Sequence, residues 1–222
     1  MKKKFIYVIL GILFLGVLTG CASKSAKEFK KEYEALNGTT NKSGKVHRTI
    51  KIPRNNPMEK VGSSEIINMI NEKKTFYVYF GDELCPWCRS VIEKAIEVAK
   101  KNNVDKIYYV KIWDADGNEV LRNKYTISGT DVEETTEGTD DYIKMLDLFK
   151  DLLGDYTLTA ENGDKIELGE KRIFAPNFIY IKDGVAQKLV DGISDKQTDS
   201  RGELTEEILK DEEAIFNDFF KN

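Results

Sequence analysis

The sequence predicts an α/β domain, a central mixed sheet flanked by helices, on three observations. Thr75-Phe-Tyr-Val-Tyr-Phe80 and Lys106-Ile-Tyr-Tyr-Val-Lys-Ile-Trp113 are dense in aromatic and β-branched residues, as buried strands are. Between them, a stretch reaching about Lys101 repeats its apolar residues at helical spacing, and short joins make the whole a βαβ unit with parallel strands. Asn177 to Ile181 and Val185 to Val190 flank Asp183-Gly184, the pattern of an antiparallel hairpin.

Composition bounds the rest. The 222 residues, 41% apolar and 32% charged, allow one domain of ordinary size with extras, not a large multidomain enzyme. Four Pro and 16 Gly exclude collagen-like or Pro-rich disorder. With 34 basic and 38 acidic residues, net −4, there is no electrostatic footprint for a dedicated nucleic-acid partner. Three Cys are too few for a disulfide-built miniprotein, and one His argues against a multi-His metal enzyme.

Taken in order, Lys2, Lys3 and Lys4 precede an uncharged, almost wholly apolar run from Phe5 to Thr19. That run has the length of a signal-peptide core and is short of the ~20 residues a membrane span needs. It ends at Leu18-Thr19-Gly20-Cys21, which resembles the bacterial lipobox. The resemblance implies cleavage before Cys21, lipidation of its sulfur, and an extracytoplasmic location where disulfides persist. Residues 1–20 are thus expected to be a lipoprotein signal peptide, and 21–45 a lipid anchor and polar tether, within which Phe29, Tyr33 and Leu36 allow a short helix. The domain proper is expected over 46–222.

Val46 to Ile52 is expected as a first strand, and Ser63 or Ser64 as the cap of a short helix presenting Ile66, Ile67 and Ile70. Thr139 caps a helix to Gly154, with Asp140 and Asp141 in its first turn, where negative charge suits the helix dipole. Its face Tyr142, Met145, Leu146, Phe149, Leu152 and Leu153 is expected in the core. Tyr156 to Ala160 and Lys165 to Leu168 flank a Glu161-Asn-Gly-Asp164 turn, and a last helix spans about Thr205 to Phe220. The acidic stretch Asp131, Glu133, Glu134, Glu137 reads as a solvated loop, and His47 as a surface residue.

Cys85-Pro86-Trp87-Cys88 follows a strand and opens a helix. Cys88 shares a face with Val91, Ile92, Ala95, Ile96 and Ala99, so it points to the core. Cys85 sits at the helix mouth, exposed, where free N–H groups and the dipole favour a thiolate. One activated and one shielded sulfur are what thiol–disulfide exchange needs, the first attacking and the second resolving the mixed disulfide. Structural zinc needs about four ligands, for which no second Cys pair exists and the single His47 lies far upstream. A purely structural disulfide remains as an alternative, although so short a staple adds little stability.

The strand–Cys85-Pro86-Trp87-Cys88–helix unit resembles the thioredoxin superfamily, and Ala175-Pro176 matches that family's cis-proline beside the redox pair. More closely, the whole chain is similar to thioredoxin-like lipoproteins of Gram-positive bacteria, near the bacteriocin-transport accessory proteins. The resemblance implies a thioredoxin-like fold with a helical and hairpin insertion over 114–170, before the cis-proline. It implies a membrane-anchored, extracytoplasmic thiol–disulfide oxidoreductase with Cys85 and Cys88 catalytic and Pro86, Trp87, Ala175 and Pro176 forming the substrate groove. No dissociable cofactor and no metal are implied. The implied partners are extracytoplasmic proteins with thiols or disulfides and a membrane electron-transfer protein. The chain departs from the family where a buried Asp is usual, six residues before the first Cys; here that position is Tyr79. Glu83 or Asp82 is then left to relay protons through water, or no side chain does. Pro86-Trp87 is neither the dipeptide of the general reductases nor that of the strong oxidases, so the direction of electron flow stays open. The rival expectation is an accessory module that uses the same fold to hold a partner such as an exported peptide.

Overall fold

The computed structural model describes residues 22–114, 118 and 120–221. The signal peptide expected over 1–20 and the lipidation residue Cys21 lie outside them. The architecture is mixed α/β: a five-stranded mixed sheet with helices on both faces.

Helix α1 (Lys24–Ala35) is capped by Ser23, whose hydroxyl accepts from the Ala26 N–H at 3.0 Å. Ala26, Phe29 and Tyr33 recur along one face and are wholly buried, with the Phe29 ring meeting Tyr109 edge-on at 5.0 Å. This corrects the expected tether over 21–45. Three apolar residues at helical spacing suffice to seat the helix, while its many Lys and Glu occupy the solvent faces. The folded unit therefore includes Lys24 and does not begin at Val46.

The strand expected over Val46 to Ile52 is absent among the described residues. Ile50 and Ile52 are buried, but side chains satisfy their backbone. Asn37 accepts from the Ile50 N–H and donates to its carbonyl, and Ile52 N–H donates to Glu34 at 2.8 Å. Lys51 N–H donates to Glu93 at 2.9 Å. With these groups taken, no ladder forms.

β1 (Met58–Lys60), β2 (Phe76–Gly81) and β3 (Ile107–Lys111) lie in the order β1-β3-β2, all parallel. β8 (Asn177–Lys182) runs antiparallel to β2, and β9 (Val185–Val190) antiparallel to β8. Helix α2 (Ser63–Asn71) begins after Gly62 with no side-chain cap, so Ser63 is its first residue rather than its cap. α3 (Pro86–Lys101) follows β2 directly.

Alternation along β2 splits the core. Tyr79 faces a layer built from α1, α3 and α5 (Glu206–Phe220), with Val91, Ile92, Phe216 and Phe219. Val78 and Phe80 face a second layer, where Ile66, Met69 and Ile70 of α2 meet Tyr142, Met145 and Phe149 of α4 (Asp140–Phe149). Thr139 caps α4 as expected, but the helix stops at Phe149; three further turn residues, Lys150 to Leu152, bring Leu153 into the core. Between β3 and α4 lies a hairpin, β4 (Lys124–Ser128) and β5 (Asp131–Thr136), so Asp131, Glu133 and Glu134 of the expected acidic loop lie in a strand with Glu137 just beyond it, all four exposed to solvent as expected. The hairpin β6 (Asp155–Thr159) and β7 (Lys165–Lys171) forms as expected.

Candidate active site

The chain leaves β2 at Gly81 and turns on Asp82. Its carboxylate accepts from Leu84 N–H at 2.9 Å and from Trp113 N–H at 3.1 Å, while its carbonyl accepts from Cys85 N–H at 3.3 Å. Cys85 then occupies the cap position of α3 in extended conformation, with Pro86 in the first turn, where the missing N–H costs nothing. The Cys85 sulfur accepts from Cys88 N–H at 3.3 Å and donates to the Ala175 carbonyl at 3.4 Å.

That carbonyl belongs to the loop before β8, and Ala175-Pro176 is cis. Asn177 holds the loop, accepting from Phe174 N–H at 2.7 Å and donating to the Pro176 carbonyl at 2.9 Å. Five residues expected together, Cys85, Cys88, Trp87, Ala175 and Pro176, thus converge from two distant parts of the chain. Trp87, Phe174, Ala175, Pro176, Leu189 and Ile193 line a cleft of about 350 Å³. A larger cleft of about 500 Å³ lies at the opposite end of the sheet, around Lys74, Tyr77 and Asn103, far from both sulfurs.

Both cysteines are free thiols. Cys88 is completely inaccessible, and burial pushes its thiol well above the ordinary range, with the neighbouring Cys85 sulfur adding to the shift. Cys85 is 6% exposed, which corrects the expectation of an open sulfur: the Ala175 loop covers it. Its thiol is nevertheless held below the ordinary value, chiefly by the hydrogen bond from Cys88 and then by the backbone N–H groups of Cys88 and Trp87, against the opposing effect of burial. The two sulfurs are therefore distinct in acidity within one turn of helix.

Of the two carboxylates weighed as relays, Asp82 is wholly buried, and burial followed by the charge of Glu83 raises it to about 7. Glu83 is ion-paired with Lys111, which is held protonated in turn. Asp82 is thus the group poised to change charge near neutrality.

Three contributors have weaker sequence signals. Tyr33 of α1 reaches the Tyr79 hydroxyl at 2.9 Å, and both rings are wholly buried in the core layer that also holds Cys88. The signal for Tyr33 was its four-residue spacing from Phe29. Arg89, 1% exposed, spends its guanidinium on Tyr33, Arg48 and Glu83 carbonyls and on the Asn37 side chain. Nothing in the sequence marks it beyond its place next to Cys88. Asn177 carries no signal either. His47, expected on the surface, is 5% exposed; burial and the nearby Arg89 and Arg201 charges lower its imidazole. The cause is the side-chain-laced 46–52 segment, which folds inward instead of lying on an edge.

Among the described residues, no group of three or more His, Cys, Asp or Glu is close enough to hold a metal, and no helix is long and apolar enough to cross a membrane. No protein-family model matches the chain, and a search of curated proteins finds no match.

Proposed function

We propose that this is a thioredoxin-like domain and that the protein is a thiol–disulfide oxidoreductase acting on extracytoplasmic proteins through Cys85 and Cys88. Support for the fold comes from the strand order β1-β3-β2-β8-β9, the cysteine pair after β2 and the cis-proline before β8. The observation that carries the function is the inequality of the two sulfurs. Cys85 caps a helix and is acidified, while Cys88 is sealed behind it and is not. A structural disulfide needs no such difference; a nucleophile and its resolving partner do.

In the reducing direction, the Cys85 thiolate attacks a substrate disulfide. One S–S bond forms to Cys85, one breaks, and a substrate thiol leaves with a proton. Cys88 then attacks Cys85, the second substrate thiol departs, and the protein holds the Cys85–Cys88 disulfide. Oxidation of a substrate is the same sequence reversed. The Ala175 carbonyl faces the Cys85 sulfur and also borders the Trp87–Pro176 cleft; together they would take the extended substrate chain. Asp82 would take up and return the proton. Electrons would pass to or from a partner protein at the membrane, where a lipidated Cys21 would hold the enzyme.

The test is the reduction potential of the pair, from equilibration in thiol/disulfide buffers read by alkylation and mass. A value near −270 mV would assign a reductase, and one nearer −120 mV a disulfide donor. Cys88→Ser should trap substrates as mixed disulfides and Cys85→Ser should not. A pair that neither reduces nor exchanges would sink this reading. The apolar cleft would then favour a module that holds an exported peptide and keeps binding with both cysteines replaced by Ser.

A further inference from the structure

We propose that Arg122, within the insertion, and Arg172, just after it, form a clamp that positions the Ala175-Pro176 loop over Cys85, and that this clamp favours extended polypeptide disulfides over small ones. The preference for polypeptides rests on the exchange reading above; the positioning of the loop rests on contacts alone.

Both arginines are buried, each 6% exposed. A guanidinium taken out of water needs partners for its N–H groups. Arg122 lies over the Trp113 ring at 5.1 Å and donates to the Ile173 carbonyl at 3.2 Å. Arg172 donates back to the Asn123 carbonyl at 3.2 Å and to the Asn123 side-chain oxygen at 2.9 Å. The exchange is reciprocal, so residues 122–123 and 172–173 are tied side by side. The Ile173–Phe174 peptide group is thereby held at both ends. Its carbonyl accepts from Arg122, and its N–H donates to Asn177 at 2.7 Å. A peptide plane fixed at both ends cannot swing. Asn177 heads β8 and ties the loop to the sheet, whereas Arg122 ties it to the turn ahead of Cys85. Trp113, under Arg122, gives its N–H to the Asp82 carboxylate at 3.1 Å, and the Asp82 carbonyl accepts from Cys85 N–H at 3.3 Å. On the other side the Cys85 thiol donates to the Ala175 carbonyl at 3.4 Å. Cys85, Asp82, Trp113, Arg122, Ile173 and Ala175 thus form a closed ring of contacts, and Arg122 joins its two halves.

The clamp also shapes the cleft. Arg172 lies over the Tyr156 ring at 4.0 Å, and Tyr156 meets Phe174 edge-on at 6.2 Å. Phe174, 39% exposed, is one wall of the cleft beside Trp87 and Pro176. Two consequences follow for Cys85. The held loop covers the sulfur and leaves it 6% exposed. It also sets the Ala175 carbonyl and the Phe174 wall before a substrate arrives, so an extended chain pays less to order them on binding. A disulfide with no peptide backbone gains nothing from that arrangement and meets only the cover.

The experiment uses the reduced full chain in detergent. Iodoacetamide alkylation is followed over time, and digestion and mass read each cysteine separately, at a pH high enough that the rate no longer rises and so reports access. In Arg122→Gln, alkylation of Cys85 should quicken on the order of 10-fold, the loss of one hydrogen bond from a charged donor, while Cys88 stays unmodified. Arg122→Lys keeps a cation and a donor and should return most of the way to the parent. Steady-state exchange then separates the two substrates. In Arg122→Gln the KM for a disulfide-bonded peptide should rise several-fold, and hydroxyethyl disulfide, which has no backbone, should react faster. Arg172→Gln should shift both readouts in the same directions by several-fold, and it carries the test if Arg122→Gln does not fold by circular dichroism. Unchanged Cys85 alkylation in a folded variant would overturn the clamp, as would Cys88 alkylation rising in step with that of Cys85, which would mean general loosening. Equal slowing of both disulfides would overturn the preference for polypeptides. A parent that exchanges with neither disulfide, while the alkylation contrast holds, would overturn the exchange reading and leave the positioning of the loop standing.

Discussion

Glu212 interrupts the buried face of α5 with a carboxylate. It is completely inaccessible, and neither oxygen has a hydrogen-bond partner among the described residues. Lys94 of α3 and Arg48 of the N-terminal segment pull its acidity the other way through space, yet burial wins and raises it from 4.5 to about 7. The sign follows from linkage. The folded state binds this proton more tightly than the unfolded state, so the stability it confers is full below about pH 4.5. That stability is lost as pH rises towards and through 7. Each pH unit between those values is worth about 1.4 kcal/mol, so the complete loss is roughly 3 kcal/mol. For a domain of this size that is on the order of 6–12 °C in midpoint. Glu212→Gln keeps the shape and removes the charge. It should match the parent at pH 4.5 and exceed it at pH 8.5, by thermal unfolding followed by circular dichroism. The variant should keep a residual slope of the same sign, because Asp82 is raised in the same way. Identical pH dependence in parent and variant would refute the burial argument.

Phe29→Ala should cost about 3–5 kcal/mol in denaturant unfolding, the usual loss for a fully buried Phe. A loss within about 0.5 kcal/mol would return α1 to the status of a surface tether. Asp82→Asn should erase the inflection near pH 7 in the rate of exchange with a disulfide peptide; a parental profile would remove Asp82 from proton handling. Gly184 has φ +78° and an added Cβ would lie 2.4 Å from the Ile70 carbonyl oxygen. Gly184→Ala should therefore lower stability by more than about 1 kcal/mol, since the clash is with backbone, and an unchanged unfolding midpoint would contradict that contact.

The elements that position the cysteines were legible because each carries a dense local signal. The aromatic run of β2, the Pro86 start of α3 and the Asp183-Gly184 turn are short-range facts of chain geometry. The N-terminal region was misread because its evidence is sparse by composition. Phe29 and Tyr33 are two aromatics among lysines and glutamates, and only the tertiary structure shows that a sheet face awaits them. The 46–52 segment misled for the opposite reason. Its alternation is genuine and its isoleucines are buried, but Asn37, Glu34 and Glu93 claim the backbone groups that a strand partner would need. Side-chain capture of this kind leaves no periodic trace. Glu212 shows the same limit: the apolar spacing of α5 is visible, and an acid seated within it is not explained by spacing at all.

Arg89 turns this misread region into part of the site. Its five N–H groups are matched by bonds to Tyr33, Glu83, Asn37 and, twice, Arg48. One side chain beside Cys88 therefore keys the end of α1, the loop after it and the turn before Cys85 to the same helix. Lys could not replace it, having three donors and no fork. The consequence reaches the membrane. With the lipid proposed for Cys21, the anchor would stand just ahead of the Ser23 cap, not beyond a flexible linker. Tyr33 lies nine residues into α1 from Lys24, or about 14 Å along the helix axis. The Tyr33 hydroxyl, 2.9 Å from that of Tyr79, would then stand within one short helix of the anchor. Under the proposed function, a domain so anchored would meet its partners close to the membrane, where an integral electron-transfer protein would present its own thiols.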